Sequence, residues 1–378
     1  MNAVTGLNIS DTVTVESVEH LGEVLRQASD ASTPVIPVGG GTCISTGYAV
    51  DHELIALDLS GISGIVDYIP TDMTAGFLAG TPISDVLETL AGNGQELPID
   101  LARDDAGTIG GLVATGFSGP RRYSAGTLKD LLIGAEYVRG DGLVAKAGGM
   151  TVKNVSGFEI GRMLHGSWGA LAVLTRVNLK VIPKARVDRT IVWRDDDHHT
   201  ALARQERLLA GNPNAVALQT VQREGAWDTA IRFAGRESAV DDYEKKAISS
   251  EGEPLSSAEI GDVWAVSPSA EHSAQLVLST AVAEIHQTLS ELIATGTVSD
   301  TAVSLGTGTI RTRLNQEVFS KDHLRAARSS LWMIEGGHQD WKRDLPVWGP
   351  ERPDRIVAQS IKDQFDPAGI LNRGRLFI

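Results

Sequence analysis

Pro37-Val38-Gly39-Gly40-Gly41-Thr42-Cys43 is the stretch that decides how this chain is read. The apolar run Pro34 to Val38 ahead of it has the pattern of a short buried strand, so a strand enters a turn of three glycines. Three successive residues without a Cβ let the main chain adopt positive φ and approach a ligand closely. Several N–H groups can then converge on an anion such as a pyrophosphate. The same run also serves as a plain tight turn, and both readings stay open at this point. No Gly-Lys-Ser/Thr follows and the spacing is not G-x-G-x-x-G, so a nucleotide-hydrolysing loop and an NAD-type Rossmann turn both lose ground.

Upstream of this turn, Ser17 is a good N-cap for a helix carrying Val18, Leu21, Val24, Leu25 and Ala28 at helical spacing. Downstream, strands are expected at Leu54 to Leu59, Gly64 to Ile69 and Thr74 to Ala79. Thr81 is then placed to cap a helix with Pro82 at its first position, ending near Gly92 and Gly94. Further strands are expected at Lys129 to Val138, Leu143 to Ala147 and Leu171 to Ile182. Past Lys184 glycines thin out. Strand Arg189 to Trp193, helix Thr200 to Leu209, strands Ala215 to Val221 and Asp228 to Phe233, and helix Ser238 to Ile248 resemble a split β-α-β unit. A second such unit is marked by a helix with Val282, Ile285, His286, Leu289, Leu292 and Ile293 on one stripe, where His286 reads as a core histidine. The segment 249–258 reads as a loop.

With 378 residues the chain is long enough for two or three domains, and 42% hydrophobic with 22% charged residues is the composition of a folded globular protein, not of a disordered one. A formal charge of -14 repels phosphate backbones and anionic lipid, which argues against a nucleic-acid partner. The single cysteine, Cys43, can form neither an internal disulfide nor an iron–sulfur site alone, so metal-centred electron transfer would need another polypeptide. Residues 1–10 lack the pattern of a secretory signal, and no run approaches a membrane span. A cytoplasmic protein without an integral membrane segment is the expectation, with any membrane contact made through partners.

A second glycine segment runs Gly107-Thr108-Ile109-Gly110-Gly111-Leu112-Val113-Ala114-Thr115-Gly116-Phe117-Ser118-Gly119. It is followed by Asp130-Leu131-Leu132-Ile133-Gly134, Asp141-Gly142, Lys153-Asn154-Val155-Ser156-Gly157-Phe158-Glu159 and Gly166-Ser167-Trp168-Gly169-Ala170-Leu171-Ala172-Val173-Leu174-Thr175. In this order, over about residues 12–183, the series resembles the FAD-binding PCMH-type domain of the vanillyl-alcohol oxidase/p-cresol methylhydroxylase flavoproteins. Phe365-Asp366-Pro367-Ala368-Gly369-Ile370-Leu371-Asn372-Arg373-Gly374-Arg375 is similar to that family's closing motif. Gly119-Pro120-Arg121-Arg122 and Gly148-Gly149-Met150 look most like the branch containing the E subunits of bacterial glycolate oxidases.

The resemblance implies an α+β protein with a two-subdomain PCMH-type FAD-binding fold over 1–184, a smaller antiparallel α+β cap over 185–340, and a segment 341–378 returning to the FAD domain. It implies that Val38, Gly39, Gly40, Gly41 and Thr42 wrap the pyrophosphate, with Pro37 and Cys43 on either side among the cofactor-binding residues. Thr108, Ile109, Gly110, Gly111, Ala114, Thr115, Ser118 and Gly119 would line the flavin and its linker, Val173 would lie near the adenine, and Asn372 and Arg375 at the flavin edge. Covalent members carry a histidine where this chain has Gly40 and Gly41, so non-covalent FAD is expected, with Cys43 a packing residue in place of a thioether.

Departures from the family are Arg373 for a proline, Phe158 for a tyrosine and Ala172 for a common glycine. Catalytic members also carry a histidine- and aspartate-rich metal stretch. The comparable segment here is Leu305-Gly306-Thr307-Gly308-Thr309-Ile310-Arg311, so no metal site is expected. Oxidising a 2-hydroxy acid needs a cation for the carboxylate and a base for the hydroxyl. Arg311, Arg313 and His338 are the candidates, with His338 and Arg311 the first choices, although the same residues also suit exposed strand and loop positions. Asp195-Asp196-Asp197-His198-His199 reads as a solvated first helical turn before it reads as a cation grip.

The expectation is thus an FAD-binding oxidoreductase subunit of a glycolate-type dehydrogenase complex, acting with a second flavoprotein and an iron–sulfur subunit. A self-sufficient FAD-linked oxidase and a non-catalytic FAD-binding assembly subunit remain as alternatives.

Overall fold

Short apolar strands separated by glycine turns build the first half, and longer alternating strands build the second. The computed structural model describes residues 6–100, 107–150, 159–255, 263–264, 273–327 and 330–378. Its strands, in chain order, are β1 (Ile9–Thr14), β2 (Val35–Val38), β3 (Leu54–Asp58), β4 (Ile65–Ile69), β5 (Thr74–Leu78), β6 (Gln95–Glu96), β7 (Leu132–Arg139), β8 (Val144–Gly148) and β9 (Ala172–Lys180). Then follow β10 (Ile182–Pro183), β11 (Val187–Asp195), β12 (Ala217–Arg223), β13 (Ala226–Gly235), β14 (Ala274–Ser279), β15 (Val298–Ser304), β16 (Thr309–Leu314) and β17 (Leu331–Gly336). The result is a mixed α+β architecture.

A parallel three-stranded sheet, β1-β3-β2, sits beside an antiparallel five-stranded sheet, β4-β5-β9-β7-β8. The helix Val18–Asp30 joins them. Ser17 Oγ accepts the His20 N–H at 3.1 Å at its start, and Leu21, Leu25 and Ala28 face a core shared with Val35, Leu57, Val138 and Val173. A second core holds the five-stranded sheet, with Phe77, Ile109, Val113, Leu164 and Val177 fully buried. Burying each such side chain stabilises the fold by about 1.5–3 kcal/mol.

Residues 187–336 contribute a single antiparallel sheet of seven strands, β11-β13-β12-β15-β16-β14-β17. The helices His198–Gly211, Glu237–Glu251 and Ile285–Ala294 pack onto it through Leu202, Leu208, Val240, Ile285 and Leu289. Two readings of the sequence are corrected here. His286 is about one-third exposed and its Nε2 lies 3.0 Å from Glu206 Oε1, so it bridges two helices at the surface and is not core. The helix extends to Glu251 into the segment read as a loop, whose residues 256–258 lie outside the described ones.

Two local expectations in the first half also change. The helix Ile83–Gly92 starts after Pro82 without a side-chain cap, because the Thr81 hydroxyl is occupied by the Leu78 carbonyl at 2.7 Å and the Gly64 N–H at 2.9 Å. Leu128–Leu131 is a helical turn ahead of β7, held by a capping box between Thr127 and Asp130. Asp197 caps the helix His198–Gly211, while Asp195 is buried against Arg204 at 2.8 Å. Among the described residues no cluster of three or more His, Cys, Asp or Glu could hold a metal, and no helix is long and apolar enough to cross a membrane.

The chain then returns to its beginning. After the helix Arg355–Phe365, Leu371 bridges Val35 in parallel, with the Val35 N–H donating to Ile370 O and the Asn372 N–H to Val35 O, both at 2.9 Å. The turn that permits this is organised by a buried ion pair. Lys362 Nζ donates to Asp366 Oδ2 at 2.5 Å and to the carbonyls of Ala170 and Leu371, while the Asp366 carboxylate accepts the N–H groups of Ile370 and Leu371. Asp366 is 1% exposed. Gly140 packs so closely that a Cβ there would fall 2.2 Å from Asp366 Oδ1.

A second buried lysine, Lys342 at the end of the helix Gln339–Lys342, donates to the Ser45 carbonyl. Burial, with the nearby Arg375 charge adding to it, pushes its pKa down to about 7.

Removing the Asp366 carboxylate (Asp366→Ala) leaves Lys362 buried without its counter-charge. The expected cost is about 3–5 kcal/mol in chemical denaturation. For Lys342 the folded state releases its proton more readily than the unfolded chain, so from about pH 7 up to the ordinary lysine range the unfolded state binds more protons and stability rises with pH. The stability difference between wild type and Lys342→Met, measured in urea at several pH values across that window, should therefore climb with pH; a flat difference contradicts the assignment.

Candidate functional site

The strand β2 delivers Pro37 and Val38 to the rim of a cavity whose empty space, its open mouth included, is about 1120 Å³. Its lining includes Pro37, Val38, Gly39, Gly40, Gly41, Thr42 and Cys43 on one side and Thr108, Gly110, Gly111, Ala114 and Thr115 on another. Val173, Trp168, Trp348, Asn372 and Arg375 complete it. The absence of side chains at the first turn is a steric requirement. A Cβ on Gly39 would sit 2.2 Å from Thr108 Oγ1, and Gly41 has φ +75°. The short helix Ile109–Thr115 keeps its small residues at the cavity because Thr108 Oγ1 accepts the Gly111 N–H at 3.2 Å.

Arg375 is the charged group of this lining. It is 2% exposed, and its Nη2 donates to the Ile44 carbonyl at 2.6 Å and to that of Thr46. Nε and Nη1 are buried without an acceptor among the described residues. Burial pushes its pKa down to about 10, still far enough above neutrality to keep the guanidinium charged. A buried cation with two undirected donors beside a glycine turn fits an anionic or carbonyl-bearing ligand, because leaving such donors unpaired costs free energy that a ligand recovers. Neither aspartate, glutamate nor histidine lines this cavity among the described residues.

Beyond Phe117, which also lines the cavity, lies a smaller polar cleft of about 300 Å³. Ser118, Gly119, Pro120 and exposed Arg122 form one wall, and Gln219, Ser304, Thr307, Thr309 and Arg311 of the seven-stranded sheet form the other. Arg311 is largely buried, with Nη1 3.1 Å from Glu335 Oε2 and its guanidinium 5.2 Å from the Phe117 ring centroid.

The residues singled out in the sequence therefore separate. Ser118 and Gly119 line the cleft and not the large cavity, and Ile109 points into the hydrophobic core. Cys43 is half-buried at the cavity rim, not packed inside the fold, since the loop 43–47 runs along the opening. His338 lines neither space. It caps the helix Gln339–Lys342 by accepting the Asp340 N–H at 3.3 Å, and its ring lies against Gly6. Arg313 pairs with Asp300 at the surface, and Arg121 is buried against Glu96 at 2.7 Å. Lys153-Asn154-Val155-Ser156-Gly157-Phe158 lies outside the described residues.

Sequence reasoning gave no role to Trp168, Trp348, Ile44 or Thr46. The first two are isolated aromatics without periodic neighbours, and the last two act through carbonyl groups, which carry no residue-type signal.

Comparison with known proteins agrees with this geometry. A family model described as an FAD binding domain matches residues 10–148. Glycolate oxidase subunit GlcE of Escherichia coli is 34% identical over 174 residues, covering 46% of this chain and 49% of that protein. A D-lactate dehydrogenase of Archaeoglobus fulgidus is 31% identical over 175 residues, covering 46% and 39%. The chain thus spans about half the length, or less, of these curated relatives. The solved structure of an alkyldihydroxyacetonephosphate synthase superposes with a TM-score of 0.66 over 97% of this chain and 77% of that one at 16% identity, a likeness of fold. Residues 10–148 thus match an FAD binding domain, and FAD is the cofactor that this match indicates.

Proposed function

We propose that the chain is the FAD-binding oxidoreductase subunit of a 2-hydroxy-acid dehydrogenase assembly, glycolate being the first substrate to test. The observation that carries this reading is the buried Arg375 guanidinium, with two donors unpaired among the described residues, facing a glycine-lined cavity. Val38 to Thr42 would hold the pyrophosphate through main-chain N–H groups, and Asn372 and Arg375 would meet the cofactor from the returning segment. Binding would be non-covalent, since Gly40 and Gly41 stand at the turn where a histidine would be needed for attachment.

Bound FAD supplies a two-electron acceptor for the hydride on the substrate carbon. The chain's own contribution begins with charge. A net charge of -14 disfavours an anionic substrate at long range, but Arg311 and Arg122 make the cleft beside Phe117 locally cationic. Glu335 engages Arg311 through Nη1 alone, which leaves the other N–H donors for a substrate carboxylate. It is better placed for that task than His338, which lies outside both spaces.

The assembly part of the proposal rests on three points. The relative in Escherichia coli is named as a subunit, the described residues of the cavity lining offer no carboxylate or imidazole as a base, and one cysteine cannot carry an iron–sulfur relay. A second flavoprotein and an iron–sulfur protein are the partners to look for.

The purified protein should show a flavin absorption spectrum; a colourless protein that takes up no added FAD removes the reading. Glycolate or D-lactate should bleach that spectrum quickly only when partner subunits are present. In the assembly, Arg311→Met should lower kcat/KM for the hydroxy acid by about 10- to 100-fold, the loss of one charge-assisted hydrogen bond of about 1.5–3 kcal/mol. His338→Ala should change it by less than about threefold, because the lost group is a helix cap.

A further inference from the structure

Trp168 combines two features that ordinary packing does not explain. Its φ is +55°, and it is the only aromatic among the described non-glycine residues at positive φ. Left-handed backbone crowds the Cβ, and a bulky residue there is a genuine outlier of the kind found at ligand clamps. The turn already contains Gly166 and Gly169, both at positive φ, so the surrounding positions use the residue that such backbone favours.

The ring is not repaid by core burial. Trp168 is only half-buried and belongs to none of the hydrophobic clusters formed by the described residues. It lines the cavity instead. Its backbone is fixed on both sides: the N–H donates to Ala114 O at 2.8 Å, and the carbonyl accepts Asn372 Nδ2 at 2.9 Å. Ala114 and Asn372 line the same cavity, and Asn372 is itself at φ +48°.

Behind the ring stands Trp348, edge-on at 5.2 Å between centroids and 70° between planes. Its indole N–H donates to Arg375 O at 2.8 Å, which fixes it to the residue carrying the unpaired guanidinium. The cavity thus has a rigid aromatic corner whose two members are anchored by hydrogen bonds to other lining residues.

We infer that Trp168, braced by Trp348, is a cofactor-positioning residue that stacks on a planar heterocycle of the bound dinucleotide. This rests on the FAD reading of the cavity. FAD carries two such heterocycles, and aromatic stacking serves either. The strained backbone then has a cause: it turns the indole into the cavity where a glycine would leave open space.

The test measures binding and apo-protein stability together. Trp168→Gly relieves the left-handed strain while removing the ring, so the melting temperature of the cofactor-free protein should hold or rise while FAD binds about tenfold more weakly. Trp168→Leu, which keeps bulk without the ring, should show the same loss of affinity, and Trp168→Phe should recover most of it. The quenching of tryptophan emission on FAD addition should also shrink in all three. Titration with FMN and with ADP separates the heterocycles, because only the analogue carrying the stacked ring should lose affinity in the Leu variant. FAD binding at wild-type strength in the Gly and Leu variants overturns the inference. A wild-type protein that binds no FAD overturns the cofactor reading instead.

Discussion

The guanidinium of Arg375 is the point on which the cofactor cavity depends. It arrives from the far end of the chain, gives Nη2 to the carbonyls of Ile44 and Thr46, and leaves two further donors buried. Its own carbonyl accepts the Tyr48 N–H and the Trp348 indole N–H. One residue therefore holds the loop after the glycine turn, fixes an aromatic wall, and faces the cavity with positive charge. Carbonyl groups meet part of the hydrogen-bonding need of such a buried group without cancelling its charge, and the two remaining donors are left for a ligand. A carboxylate would cancel the charge that suits an anionic cofactor.

The second half of the molecule meets the same loop. The Gly336 N–H at the end of β17 donates to Thr46 Oγ1 at 3.1 Å, and Lys342 reaches the Ser45 carbonyl. The seven-stranded sheet and the cofactor cavity are thus joined through residues 44–46, with the cationic cleft around Arg311 forming a second junction beside Phe117. Electrostatics divides labour between them. Among the described residues the larger space is apolar with one buried cation, and the smaller is polar with two arginines and several hydroxyls.

Much of this was legible where chemistry is local. The strand into Gly39-Gly40-Gly41, the Ser17 cap and the amphipathic stripe of Leu21, Leu25 and Ala28 are set by neighbours in sequence, and so were readable from it. The turn at Asp366 was recognisable as a motif, although the reason for its residues, a lysine four positions earlier and a glycine at 140, appears only in three dimensions. Residues 187–336 read as two repeated units, yet β12 pairs with β15 to make one sheet, and pairing across some eighty residues leaves no periodic trace. His286 misled because a helical stripe does not reveal that Glu206 waits on the adjoining helix. His338 looked chemical because of its residue type, and its place as a cap depends on where the chain bends after β17.

The return of residues 370–375 to the strand next to the glycine turn has a consequence for biogenesis. The parallel sheet that carries the turn is encoded within the first sixty residues, but Asn372 and Arg375 are made more than three hundred residues later. During synthesis the early segments precede their cationic wall, so the cavity has no complete lining until ribosomal elongation has passed residue 375. Closure of the cavity is then a late act of maturation, and a nascent chain stalled before that residue lacks part of its lining.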